Sequence, residues 1–196
     1  MEKLTKRDIQ AQNTKARIME VAIKLIKENR LESVKILDIC ESANVSVGTF
    51  YHYFKSKEDI IENAYANVDL SIKEKVEDRK HTTYREKILI IFEEANTNIT
   101  NLGYKFMSDM LSFDLSNSKK FSIENSRYPY LAISNEIKAG VKAGEFKEDI
   151  DSMIATHDFM RIGRGVVVDW CLHEGAFDLV SDSQKIVGTY LDYISK

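Results

Sequence analysis

The sequence predicts an all-α protein, on three observations. One proline and eight glycines are spread over 196 residues, too few breaks for a chain of short strands and tight turns. No alternation of apolar and polar residues persists beyond a few positions. Segment after segment instead carries apolar side chains three and four apart, the spacing that lines one face of a helix.

The length suits one large domain, or a small domain joined to a larger one, with a substantial core. Formal net charge is −3, but it is unevenly placed: residues 1–57 hold 11 Lys and Arg against 7 Asp and Glu, and residues 58–196 hold 17 against 24. A basic first third on an acidic remainder suits a nucleic-acid reader attached to something that does not bind nucleic acid, although a solvated basic face would look similar. Cys40 and Cys171 lie on apolar faces far apart and read as core residues rather than a disulfide or zinc pair. No apolar run approaches the ~18 residues that span a membrane, and the polar start is unlike a signal peptide, so a cytoplasmic setting is expected.

Residues 1–11 read as a flexible, mixed-charge arm. A first helix is expected from about Thr14, with Ile18, Val21, Ala22, Leu25 and Ile26 as its apolar stripe, ending at Asn29 and Arg30. Ile36, Ile39, Cys40 and Ala43 give a short second helix, and Asn44 follows where a left-handed residue is needed to leave it. Ser46 then stands at an N-cap, its hydroxyl placed to accept a bond from the first amides of a third helix starting at Val47. In that helix Phe50 and Phe54 turn inward, leaving Val47, Gly48, Thr49, Tyr51 and His52 outside. Helix, turn and short helix form a helix-turn-helix whose second helix can enter a major groove, unless this is an ordinary helical corner. Ser56 caps a fourth helix with Glu58 and Asp59 in its first turn and Ile60, Ile61, Ala64, Tyr65, Val68 and Ile72 inward.

The run from Thr14 through Ile60 resembles the N-terminal domain of the tetracycline-repressor (TetR) family of bacterial transcriptional regulators. The resemblance is carried by Thr14, Ile18, Ala22, Leu25, Asp38, Ile39 and Ala43, and above all by the stretch Val45-Ser46-Val47-Gly48-Thr49-Phe50-Tyr51-His52-Tyr53-Phe54-Lys55-Ser56-Lys57-Glu58. The chain departs from the family pattern at Asn29-Arg30 and Asn44, where glycine is usual, and at Lys35, where a Thr cap is usual. Either asparagine can supply a left-handed turn. The resemblance implies a DNA-binding domain over 12–72 and an effector-binding and dimerisation domain over 73–196. It further implies base reading by Val47, Thr49 and His52, close backbone approach at Gly48, and phosphate contacts from Thr14, Lys35, Ser46, Tyr51 and Lys57.

Beyond Thr82 the spacing gives helices over Tyr84–Asn101 and Tyr104–Leu115, a polar loop over 116–120, a helix towards Gly144, and a new start capped by Asp149 or Asp151. Pro129 would either kink its helix or occupy the first turn. Residues 153–173 carry two adjacent apolar faces, and residues 183–194 one more. In the family the last two helices pair with their copies, so Phe159, Ile162, Val166, Val167, Ile186, Val187, Tyr190, Leu191 and Ile194 are the implied homodimer face; the alternative is that both faces are used inside one subunit. Phe106, Met107, Met110, Phe113, Tyr128, Tyr130 and Trp170 are the aromatic and Met residues nearest the implied effector pocket, although each could be plain core. Their character points to a hydrophobic or aromatic effector.

Motifs for catalysis are missing from the sequence. His52, His81, His157 and His173 have no partner at metal-ligand spacing, Gly163-Arg164-Gly165 lies in a helical pattern rather than after a strand, and no Gly-x-Ser-x-Gly or phosphate loop occurs. The expectation is therefore not an enzyme but a regulator without cofactor or metal, most naturally a repressor bound to a palindromic operator as a homodimer and released by a small molecule. A helical protein-interaction module without a DNA role, and a DNA-binding regulator without effector, are the rival readings.

Overall fold

The computed structural model describes residues 5–118 and 120–196, and the expectations for residues 1–4 and Lys119 lie outside it. Among the described residues the elements are α1 (Lys6–Asn29), α2 (Ile36–Ser42), α3 (Val47–Tyr53), α4 (Lys57–Asp78), α5 (Tyr84–Leu102), α6 (Tyr104–Ser116), a 3₁₀ turn (Phe121–Ile123), α7 (Tyr128–Ala143), α8 (Ser152–Leu172) and α9 (Leu179–Ile194). Their only β-type pairing is an antiparallel bridge between Phe146 and Ser195. The all-α class is the observed one, and no helix is long and apolar enough to cross a membrane.

Two compact units result, one ending at Tyr65 and the other running from Ala66 to Lys196. The division falls inside α4, earlier than the residue 72 expected.

In the first unit Ile18, Ala22 and Ile26 of α1 pack inward with Leu31, Val34, Ile39, Cys40, Ala43, Phe50, Phe54, Ile60 and Ile61, all nearly or fully buried. Burying each large side chain of this kind contributes about 1.5–3 kcal/mol before entropy is counted. The supposed arm is corrected by a helix already under way at Lys6. Thr5 caps it: the Thr5 hydroxyl accepts from the Asp8 amide at 3.2 Å, and the Asp8 carboxylate accepts from the Thr5 amide at 2.9 Å. Those bonds start a helix without apolar help, which is why the hydrophobic stripe begins a full three turns later. The left-handed turn ending α1 is made by Arg30 (φ 68°) and not Asn29, whose amide donates back to Leu25 O.

In the second unit α5 is the central element, buried through Ile88, Ile90, Ile91 and Phe92. Around it Ile72, Val76, Ile133, Ile137, Phe146, Ala155, Phe159, Val187, Leu191 and Ile194 complete one continuous core. Glu145 secures the α5 start, its two carboxylate oxygens accepting from the amides of Tyr84 (3.0 Å) and Arg85 (2.7 Å). Pro129 occupies the first turn of α7, where its missing N–H costs nothing. Gly144 (φ 79°) ends α7 in the left-handed conformation. Asp151 is the α8 cap, accepting from Met153 and Ile154. Asp178 caps α9, which starts four residues earlier than expected. Asp69 of α4 takes a bidentate pair from Arg127 (3.0 and 2.5 Å) and a bond from the Tyr128 amide, fastening α4 to the α7 start.

Candidate nucleic-acid interface

The turn between α2 and α3 is built as the local sequence dictates. Val45 N donates to Cys40 O at 3.0 Å across Asn44, which holds φ 50°. Ser46 Oγ accepts from the Thr49 amide at 3.0 Å and lies 2.8 Å from the Thr49 hydroxyl. Phe50 and Phe54 are fully buried below, and the Phe50 ring meets Tyr51 edge-on at 5.5 Å. The outer face of α3 therefore presents Val47, Gly48, Tyr51 and His52 to solvent, with Thr49 half-buried beside them. Tyr51 is 53 % exposed.

Gly48 is informative because the fold does not require it. A Cβ there would meet only Ser46 Oγ, at an ordinary 3.7 Å. A glycine inside a helix that costs stability and relieves no internal clash makes sense where another molecule approaches the backbone.

Two expected phosphate contacts are placed differently. Thr14 lies well inside α1 and its hydroxyl donates to Gln10 O at 2.8 Å, a bond made within the helix. Lys57 Nζ donates to Leu31 O at 2.8 Å and Val34 O at 2.7 Å, so its ammonium secures the α1–α2 loop. Lys35 is exposed at the α2 N-cap and leaves capping to Asp38, whose carboxylate accepts from the Lys35 amide at 2.9 Å. The exposed Lys55, directly after α3, is a phosphate candidate that the sequence reading passed over. Its basic side chain next to the reading helix was the available signal. Leu37, 58 % exposed on α2, was also passed over.

The apolar residues of the second unit are also re-sorted. Phe106, Met107, Met110 and Trp170 are buried, yet they stand outside the continuous core around α5. Phe113 stacks on Phe121 at 6.4 Å, and Tyr130 meets His157 edge-on at 5.4 Å. Tyr128 packs against the main core, and its hydroxyl pKa is pushed up to about 12, first by burial and then by Glu77 and Glu136. Each of those three thus has a packing partner within the unit.

The expected dimer face needs correction too. Phe159, Val166, Val167, Val187, Leu191 and Ile194 are buried within the subunit, and Phe159, Val187, Leu191 and Ile194 belong to the core around α5. Tyr190 donates to Asp158 at 3.0 Å and its ring meets Phe159 at 4.8 Å, and Ile162 is half-buried against the core. The outward stripes consist instead of Gly165, Val168 and Leu172 on α8 and Ile186, Thr189 and Tyr193 on α9, with Ile186 the one expected residue that stays exposed.

Residues 18–64, which contain the whole α2–turn–α3 unit, match the family model for bacterial regulatory proteins of the tetR family. That segment is a tetR-family DNA-binding domain. The protein carrying it is a DNA-binding transcriptional regulator. The regulator is 26% identical over 176 residues to the fatty acid metabolism regulator protein of Bacillus subtilis, covering 87% of this chain and 90% of that one. Among solved structures it is similar to the transcriptional regulator FadR from Bacillus subtilis in complex with stearoyl-CoA, with a TM-score of 0.71 and 20% identity over 91% of this chain and 98% of that one. It is also similar to the ketosteroid transcriptional regulator KstR2 of Mycobacterium tuberculosis, with a TM-score of 0.63 and 19% identity over 93% and 95% of the two chains.

Proposed function

We propose that the protein is a homodimeric repressor that reads a palindromic operator with α3 and releases it when a large apolar ligand binds the second unit. The observation that carries the DNA reading is the outer face of α3, where a capped helix anchored by Phe50 and Phe54 exposes Val47, Gly48, Tyr51 and His52. Val47 would meet a thymine methyl, and Thr49 and His52 would hydrogen-bond base edges. Tyr51, Ser46, Lys35 and Lys55 would hold phosphates and set register. Two copies would read half-sites about 34–36 Å apart, joined through the outward stripes of α8 and α9.

The effector class rests on the buried Phe106, Met107, Met110 and Trp170 and on the two relatives whose descriptions name stearoyl-CoA and ketosteroid. Both descriptions denote an extended or fused apolar body bearing a carbonyl. The test is repeated selection of random duplexes at low salt, followed by gel shift of the survivors with and without stearoyl-CoA or a steroid ketone. Enrichment of a two-fold symmetric sequence and its release by one of these ligands is the expected result. Failure to enrich any palindrome overturns the reading.

A further inference from the structure

We infer that Asn96 is the polar reader of the effector, donating from its side-chain amide to the ligand's carbonyl oxygen; this rests on the effector reading above. Asn96 is 3 % exposed in α5, and its amide nitrogen is buried with no hydrogen-bond partner among the described residues. A buried N–H without a partner is costly, and native structures keep such groups chiefly where something else completes them.

Its position in the fold says what that something is. Asn96 stands one turn beyond Phe92, on the same face of α5. Phe92 approaches α8 at Gly163, where a Cβ would come within 2.8 Å of the ring. Towards its other end α8 nears the start of α6, with Cys171 Sγ 3.9 Å from Tyr104 O. Asn96 is therefore one turn from the Phe92–Gly163 layer, on the helix that leads through Gly103 into α6 and its buried Phe106, Met107 and Met110. Its side-chain NH2 is buried, neutral and unpaired. A neutral amide donor suits an apolar body with a neutral acceptor, a thioester or ketone oxygen, and not a carboxylate, whose charge a neutral amide alone cannot stabilise away from water.

The test is calorimetric titration of the full chain with stearoyl-CoA, with its octadecyl thioether counterpart that lacks the carbonyl, and with a steroid ketone. Comparison of the first and third ligands separates acyl from steroid chemistry. Wild-type protein should prefer thioester to thioether by about tenfold, the loss of one well-made hydrogen bond. Asn96→Leu should bind either carbonyl ligand about tenfold more weakly and the thioether unchanged. Undiminished carbonyl binding by Asn96→Leu overturns the role of Asn96 and leaves the effector reading standing. If that variant fails to fold, equal wild-type affinity for thioester and thioether has the same force. Binding of neither carbonyl ligand to wild-type protein overturns the effector reading, and this inference with it.

Discussion

Lys57 and Lys55 stand two positions apart in different settings, the first half-buried and the second exposed. The Lys57 ammonium satisfies two loop carbonyls in the first unit. Lys57→Met should lower the unfolding free energy of that unit by about 1–3 kcal/mol, because half-buried acceptors lose their donor; chemical denaturation followed by circular dichroism measures this. Lys55→Ala should leave stability unchanged, weaken binding to every duplex alike and reduce the salt slope by about one. Thr49→Ala should instead alter affinity unequally among half-site variants, at about 1–3 kcal/mol for the preferred base. Equal loss on all of them would remove Thr49 from the readers.

At the scale of elements, the reading head was legible because its signals are local. Asn44 at the turn, Ser46 at the cap and the Phe50/Phe54 spacing each fix one feature within a few residues, and the fold realises all three. The start of α1 was missed because Lys6 to Ala11 offers little apolar periodicity, although Thr5 and Asp8 already stood at capping-box spacing. Lys57 was misjudged because a loop carbonyl leaves no mark in sequence. Tertiary demand also explains Gly140 in α7, where a Cβ would fall 2.4 Å from the buried Phe146 ring. Gly140→Ala should therefore destabilise the second unit by about 1–3 kcal/mol in thermal unfolding, despite alanine's better helix propensity.

For the whole molecule the sequence showed that α8 has more apolar surface than one side can use, but not which side faces the subunit's own core. Spacing assigns residues to faces; only the packing of α5, α8 and α9 decides which face is spent inside. The remaining outward stripe includes Leu172, 76 % exposed, and Val168, 40 % exposed. Val168→Glu should leave the helical spectrum intact, shift the protein to monomer in light scattering, and abolish tight binding to a symmetric site. A dimer that survives this change would place the interface elsewhere.

Trp170 is the one tryptophan in the chain. Its indole N–H donates to Phe177 O at 3.1 Å and the ring lies against Gly175, so it is held in one orientation in a dry setting. The protein thus carries its own optical gauge: excitation at the red edge of the indole band reports a single environment, free of averaging over sites. A ligand entering beside α6 and α8 would change that emission in unlabelled protein.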